Sequence, residues 1–591
     1  MLFYDIEVLP YYWCVVVVDD VTQERHVFED VSSLRTFYKK HMHDTWVGYN
    51  SRQYDAPMLR FIMLDMYPYD CSYDLINLNK KWFQFPAPIV EQYKRIPLRN
   101  YDCVLLNKGL KKLEGFRGSS IIECSIDWNY DEPLTREQKD EVVMYCTHDV
   151  LETRKVFYDT IQEYQAHEGL IEAFDIDPVH FSKSKAQLVS LILEAKKLPW
   201  FDEWDFTIVD TLVLDKYKHI LDWYLDRDNH DYKKSLDIDV AGVPHTFAWG
   251  GIHGALPNYH GEGIYINMDV GSYYPALMIE YGFLSRNVLN PDKYREIRDY
   301  RLVLKKNKDP RQLPYKIVLN STYGAMKDKY NNLYDPKQAN NVCINGQLLL
   351  LDLIEKVEPH CQLIQSNTDG ILVKVGTMEQ VDVVKEIAEQ WSQRTRMELE
   401  YEMLDAVYQK DVNNYLTVDA KGKIKSKGAY AKTWLREDEN KNLVDDLTDY
   451  DLVILREALH NFVSKGIPVE TTINECKDLR KFQKIVMVSR KYKHACHGEY
   501  DKKTKTWKAK PMILNERHLR VFASKYVSDG AIYKVHAEKL NVNQVGDTPM
   551  NAFIINEDIT GKSTDDYPEL DREYYIKMAK KRMKGFFSKE A

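Results

Sequence analysis

The chain has 591 residues, 44% hydrophobic and 29% charged, with a formal net charge of −9. That length allows three or four domains, and no apolar run approaches the about 18 residues of a membrane span; the longest include Val15–Val18 and Leu348–Leu351. Nine cysteines, an odd number with no CxxC pair, argue against a zinc ribbon and for free thiols in a reducing compartment. The opening Met1-Leu-Phe-Tyr-Asp-Ile-Glu7 lacks the basic flank of a signal or transit peptide.

The acidic total hides three basic islands. Lys293 to Lys316 holds nine Lys/Arg against three acids, Val486 to Tyr526 eleven against three, and Arg572 to Lys589 seven against one. Any one of them reads equally as a solvated face. Together they fit a protein that grips a phosphate backbone along selected surfaces.

In chain order, Leu2 to Val8 reads as a strand whose alternation puts Asp5 and Glu7 on one face. Strands over Trp13–Val18 and Arg25–Phe28 extend an antiparallel meander. A helix follows from Ser32 to His41, then a strand Trp46–Asn50 leading to Asp55. A long charged helix, Thr135 to Glu163, sets Tyr145 and Asp149 four residues apart on one side. Asp-x-Glu on a strand is more commonly a solvent-facing pair. Four acids that converge (Asp5, Glu7, Asp55, Asp149) would repel one another unless cations neutralise them, which implies two metal ions, with Tyr145 placed to orient a water.

From Phe174 to Asp239 the composition predicts a charged helical link, and Trp249-Gly250-Gly251 offers a bare backbone or a plain turn. Gly263–Met268 reads as a short strand ending at Asp269, with a helix opening near Pro275. Its N–H groups beside a carboxylate suit a metal and a polyphosphate together. A helix over Tyr294–Lys308, broken by Asp309-Pro310, sets Arg301 and Lys305 on one face. It leads into a helix on which Lys316, Asn320 and Tyr323 share a side. Leu363–Val373 is two strands about a turn with Asp369 at its tip. Taken alone, an Asp after an apolar run is commonly a turn or cap residue; two on adjacent strands can hold a pair of divalent cations. Gln347–Val357 and Glu379–Arg396 read as helices, Asn413–Gly428 as a hairpin, and the chain from Thr433 as helical and then basic, ending in a helix over Tyr574–Phe587.

Six of these stretches, in order, resemble the motifs of family B DNA polymerases with a 3′→5′ proofreading exonuclease, most like compact bacteriophage members. Asp269-Val-Gly-Ser-Tyr-Tyr-Pro275 is similar to Asp-x-x-Ser-Leu-Tyr-Pro. Lys316 to Gly324 is similar to Lys-x-x-x-Asn-Ser-x-Tyr-Gly. Gln365-Ser-Asn-Thr-Asp369 is similar to Tyr-x-Asp-Thr-Asp, with Asn367 for the first Asp and Gln365 for the Tyr. Asp5/Glu7, Asn50 with Tyr54-Asp55, and Tyr145/Asp149 match the three exonuclease motifs, with Val8 where Thr is usual. Gly250-Gly251 resembles the Tyr-x-Gly-Gly loop, with Ala248 in place of the Tyr. Tyr415 fits the Lys-Lys-x-Tyr motif, with Val412 and Asn413 at the lysine positions, so primer grip would be weaker or supplied by Lys410 and Lys427.

The resemblance implies an α/β (α+β) multidomain fold: an RNase H-like exonuclease followed by a right-hand polymerase. The expected divisions are 1–173 exonuclease, 174–240 helical link, 241–285 and 317–432 palm, 286–316 short fingers, and 433–591 thumb. It implies DNA synthesis from deoxynucleoside triphosphates with two Mg²⁺ (or Mn²⁺) per site. Asp269, Val270 and Asp369 would be the synthesis metal site, and Asp5, Glu7, Asp55 and Asp149 the editing one. Arg301, Lys305 and Lys316 would bind the triphosphate, Tyr274 would crowd out a 2′-OH, and Tyr323 and Asn320 would line the nascent pair. Asn50 and Tyr54 would touch a single-stranded 3′ end, Gly250 and Gly251 the template, and Tyr415 the primer. The implied setting is a bacterial host cytoplasm, as a monomer on primer–template DNA, away from membranes, with possible replisome partners and a role in phage genome replication. A strand starting at residue 2 leaves no room for a template-scanning domain ahead of it. The 41 positions from Pro275 to Lys316 lean against protein priming. Two other readings stay open: an exonuclease with a decayed polymerase module, with Asn367 as the symptom, and a non-catalytic DNA-binding replisome scaffold.

Overall fold

The computed structural model describes residues 1–438 and 441–587. It is a mixed α/β multidomain molecule built on two large sheets and a smaller β-rich body. The first sheet holds β1 (Leu2–Leu9), β2 (Tyr12–Asp19), β3 (Arg25–Phe28), β4 (Thr45–Gly48) and β5 (Arg99–Asp102), in the order β3-β2-β1-β4-β5. β1 runs antiparallel to β2 and parallel to β4, and β4 is parallel to β5.

Both faces of this sheet are covered, so its strands read as near-continuous apolar runs. Leu2, Tyr4, Ile6 and Val8 pack with Leu59 and Ile62 of the helix Asp55–Met63. Phe3 and Leu9 face the other way, with Val150 and Phe157 of the helix Arg136–Asp159. Asp5 and Glu7 lie between Phe3 and Leu9 on that second face, so the period of two turns them toward the long helix. That helix stops earlier than the sequence predicts. It ends at Asp159, Thr160 leaves helical geometry with its hydroxyl bonded to the Val156 carbonyl, and a separate helix Ile161–Ala173 follows.

The link was expected to be helical, and most of it is not. Besides single 3-10 turns at Pro178–His180 and Arg227–Asn229, α-helices cover Lys185–Ile192 and Lys218–Leu225. Between them the backbone is an irregular strap along the buried helix Pro336–Val357, whose side chains take the place of i→i−4 partners. Asn341 and Asn345 accept from the Thr207 and Val209 N–H, Asp352 from Val213, and Glu355 from Asp215 and Tyr217.

The second sheet is antiparallel and nine-stranded: β6 (Leu236–Val240), β7 (Val243–Phe247), β8 (His253–Ala255), β9 (Tyr259–Val270), β10 (Gln362–Asn367), β11 (Gly370–Val375), β12 (Leu399–Asp411), β13 (Asn414–Asp419) and β14 (Ile424–Lys427). The order is β14-β13-β12-β9-β11-β10-β8-β7-β6. β9 is twelve residues long, rather than the short strand expected, because it is paired on both edges, with β11 and with β12. Behind the sheet lie the buried helix Pro336–Val357 and the helix Met378–Thr395; the helix Tyr273–Glu280 and the antiparallel pair Asp292–Lys306 and Gln312–Lys327 follow β9.

Beyond β14, the helices Val453–Lys465, Val469–Glu475 and Arg572–Met583 share one core. The basic stretch from Val486 folds as strands of three small sheets, two of them packed about Val486, Ala495, Val521 and Ile532. This body is fastened to the first domain. The buried Arg520 guanidinium bonds the carbonyls of Ser119 and Glu557, and the Ile121 N–H bonds the Asn556 carbonyl at 2.7 Å. All nine cysteines are free thiols. Among the described residues no helix is long and apolar enough to cross a membrane.

Candidate active sites

Two acidic centres stand on the two sheets. In the first, Asp5 and Glu7 project from β1, Asp55 opens the helix Asp55–Met63, and Asp149 and Tyr145 come from the covering helix. Ligand atoms of Asp5, Glu7 and Cys146 lie within 4.8 Å of one another, and those of Glu114, His148 and Asp149 form a similar group. Burial is the main cause that raises all four carboxyls, and mutual repulsion adds to it. Asp5 is pushed up to about 7, with Asp149 the next cause, and Asp149 itself to about 6 despite a neighbouring lysine. Glu7 and Asp55 stand well above the usual carboxylate range. Buried, repelling acids of this kind fit divalent cations.

Asn50 is exposed, in a left-handed turn at φ 57°, five residues before Asp55; the Tyr54 hydroxyl is tied to Ser72 at 2.9 Å. Sequence reasoning missed Lys111, Glu114 and Cys146. Lys111, from the helix Leu110–Arg117, is 7% exposed; its ammonium pairs with Asp149, lies 3.1 Å from Glu114 and sits 4.5 Å from the Tyr145 ring centroid. Only their chain separation from Asp149 hid Lys111 and Glu114. Lys111→Ala would leave Asp149 and Glu114 buried without their cation. We expect about 3–5 kcal/mol of destabilisation, read by denaturant unfolding, together with loss of any activity at this centre.

The second centre is a cleft of about 750 Å³ at the end of β9. Asp269 is the penultimate residue of β9, opposite Gly370 of β11 and Glu400 of β12. Asp369 stands in the β10–β11 turn, whose other residue, Thr368, holds φ 48°. A β-branched residue there is strained, and the surroundings fix it: its N–H bonds the Ile252 carbonyl at 2.9 Å, and its hydroxyl meets Asn367 at 3.3 Å. The Val270 N–H bonds the Asp369 carbonyl at 2.7 Å, locking strand end to hairpin tip. Asp269 is pushed up to about 6 by burial and then by Asp369; Asp369 is also raised, by burial. Two acids at the meeting of three strands, one raised by the other, fit divalent cations here too.

Gly370 makes this approach possible. A Cβ there would stand 2.0 Å from Asp269 Oδ1 and 2.7 Å from the Met268 carbonyl. Gly370→Ala must therefore displace the carboxylate by about 1 Å. We expect a loss of about 100-fold in any reaction at this centre, with the first centre unaffected, read by assaying both on one preparation.

The other predicted residues divide. Tyr274, Arg301, Lys305, Lys316, Asn320 and Tyr415 line the cleft with both aspartates, as does Val270. Arg301 is nearly buried and donates to Ser272 Oγ at 2.9 Å. Lys305 pairs with Glu400 at 3.0 Å, an exposed bridge worth about 0–1 kcal/mol and so readily exchanged for another anion. Tyr323 stands behind Tyr274 with ring centroids 4.5 Å apart, rather than on the cleft wall. Gly250 and Gly251 flank the hairpin, where a Cβ on Gly251 would meet Thr368 at 2.9 Å. Of the two lysines expected to replace the missing pair, Lys427 lines the cleft and Lys410 is paired with Asp411. Missed from sequence were Asn267, which donates to Asp269 Oδ2 at 2.7 Å, and Glu400 and Glu402, the cross-strand neighbours of Asp269 and Asn267 on β12. A signal was present: each pair, Asn267/Asp269 and Glu400/Glu402, is spaced by two on one strand.

No family model matches the chain. The DNA polymerase alpha catalytic subunit of Trypanosoma brucei brucei is 30% identical over 99 residues, 15% of this chain and 7% of that protein's length. Among solved structures, the family B DNA polymerase from the hyperthermophilic archaeon Pyrobaculum calidifontis matches at 14% identity with a TM-score of 0.42, over 100% of this chain and 78% of that one.

Proposed function

We propose that the chain is a template-directed DNA polymerase with a separate 3′→5′ exonuclease centre, of the family B type. The observation that carries the reading is the convergence, at the end of one strand, of Asp269 and Asp369 with Arg301, Lys316 and the opening turn of the helix Tyr273–Glu280. The first sheet's order supports an RNase H-like editing domain; the second sheet with the helix pair after it supports palm and fingers, and the C-terminal helices a thumb.

Asp269 and Asp369 would hold two divalent cations, which lower the pKa of the primer 3′-OH and neutralise the leaving pyrophosphate when bound. Arg301, Lys316 and Lys305, released from Glu400, bind the triphosphate, assisted by the N–H groups at Ser272–Tyr274. Tyr274, braced by Tyr323, lies under the sugar and crowds out a 2′-OH. Asn320 faces the nascent pair, and Tyr415 with Lys427 the primer strand. At the first centre Asp5, Glu7, Asp55 and Asp149 hold the cations for hydrolysis of the terminal phosphodiester, Tyr145 orients the water, and Asn50 and Tyr54 meet the frayed strand. The setting we propose is replication of a phage genome in a bacterial cytoplasm, by a monomer. The test is extension of a labelled primer–template with Mg²⁺, with and without deoxynucleotides. Extension with all four and shortening without them is the expected result; shortening alone overturns the synthesis claim and leaves an exonuclease with a decayed polymerase module. An absence of both leaves a DNA-binding scaffold.

A further inference from the structure

A surface beyond the cleft is not used by this mechanism. Lys316 and Asn320 line the cleft from the helix Gln312–Lys327, and the same side of that helix carries Lys327 about 17 Å beyond Lys316, outside the cleft. There Lys327 Nζ bonds the Trp249 carbonyl at 3.1 Å, next to Gly250-Gly251. Past Lys327 the chain turns outward through Lys329 and Tyr330, and Tyr330 is 83% exposed. The strap segment at Lys196–Phe201 is knit to this turn. The Lys196 N–H bonds the Asn287 carbonyl, Asn287 Nδ2 bonds the Asn332 and Tyr334 carbonyls at 2.9 Å each, and the Lys197 ammonium bonds the Lys329 carbonyl. Phe201 on the same segment is 94% exposed.

Two large rings stand in water on these joined segments, which also carry four lysines, with the Lys329 ammonium 5.1 Å from the Tyr330 ring centroid. Such rings are costly for folding alone and suited to stacking on bases with phosphates between them. Three of the neighbouring acids are occupied: Asp202 by Arg286 at 2.7 Å, Glu194 by Lys293 at 2.8 Å, and Asp328 Oδ1 by the Tyr330 N–H at 2.9 Å. We propose that Tyr330 and Phe201, with Lys196, Lys197, Lys327 and Lys329, form a stacking platform for the unpaired template strand before it enters the cleft. This rests on the polymerase reading, and it takes single-stranded DNA without regard to sequence, because every base presents a ring face.

The test compares binding of the full chain to primer–templates of identical duplex carrying about 2 or about 10 unpaired template nucleotides, followed by fluorescence anisotropy. The wild type should bind the longer overhang about tenfold more tightly, a gain that shrinks as salt rises. The double variant Tyr330→Ala/Phe201→Ala should lose that gain and keep wild-type affinity for, and extension of, the short-overhang substrate. Tyr330→Phe should keep it. A wild type that extends the short substrate but gains nothing from the overhang overturns the platform alone, as does a double variant that retains the gain or weakens on both substrates equally. A wild type that extends neither substrate overturns the polymerase reading, and the platform with it.

Discussion

Asp369→Ala should abolish primer extension, by at least about 1,000-fold, while shortening of the same primer continues at the wild-type rate; Asp5→Ala should do the reverse. The two carboxylates belong to different sheets with separate cores, so neither substitution disturbs the other centre's neighbours. Asp369 is held by backbone, through the Val270 N–H to its own carbonyl, and by the fixed turn at Thr368. Truncating its side chain therefore removes a charge without releasing the hairpin. The loss is large because the reaction at such a site depends on neutralising charge that builds up on oxygen, and half of the anionic clamp would be gone. The paired assay is one labelled primer–template with Mg²⁺, with and without deoxynucleotides. A single variant that stops both reactions, or Asp369→Ala that still extends, would mean that the two centres do not have the separate roles assigned to them.

Asn367→Asp, which restores the acid usual in the resembling motif, bears on the same site. The amide lies beside Tyr415 and His253; burial raises the Tyr415 hydroxyl and lowers the His253 imidazole, and hydrogen bonding with Asn367 offsets part of each. An added carboxylate there would face the already raised Asp369. The amide thus leaves Asp369 with one negative charge fewer beside it than an aspartate would.

The centres were legible because each rests on local pattern: an acid at a strand end, a polar turn between apolar runs, two residues four apart on a helix. The mixed α/β multidomain class came with the resemblance that those motifs carry. Less legible was whatever depends on partners far along the chain. The strap at 195–217 reads as helical from composition, yet its N–H groups are taken by Asn341, Asn345, Asp352 and Glu355, more than a hundred residues away. Lys111 looks like one more charge on an amphipathic helix until the fold brings it to Asp149 and Glu114. Tyr323 has the helical spacing of a cleft residue, but Tyr274 stands in front of it. In each case tertiary contact decided what local sequence left open.

Without cations the first centre should be a source of instability, and Asp5→Asn should make the metal-free protein more stable at neutral pH. Asp5 has its carboxyl pushed up to about 7, and Glu7 and Asp55 stand well above the usual range. A carboxyl raised on folding binds its proton more tightly in the native state. Its favourable contribution is complete below the unfolded value of about 4 and is lost as pH rises through the folded value. The telling window is about pH 6.5–8. Below it, buried histidines such as His167, held down to about 4, work in the opposite direction, because the unfolded chain then takes up their protons. Within it other groups titrate too, so the share of the slope that belongs to these acids is read as the difference between wild type and Asp5→Asn. In EDTA, the wild-type unfolding midpoint should fall across this window, and Asp5→Asn should flatten the fall and raise the midpoint at pH 8 by a few degrees. Millimolar Mg²⁺ should raise the wild type, about 2.7 kcal/mol being available at 100 times the dissociation constant, and raise Asp5→Asn less. A metal-free Asp5→Asn protein less stable than the wild type at pH 8 would mean that the acids are held by partners of their own, and that the centre has no need of a cation.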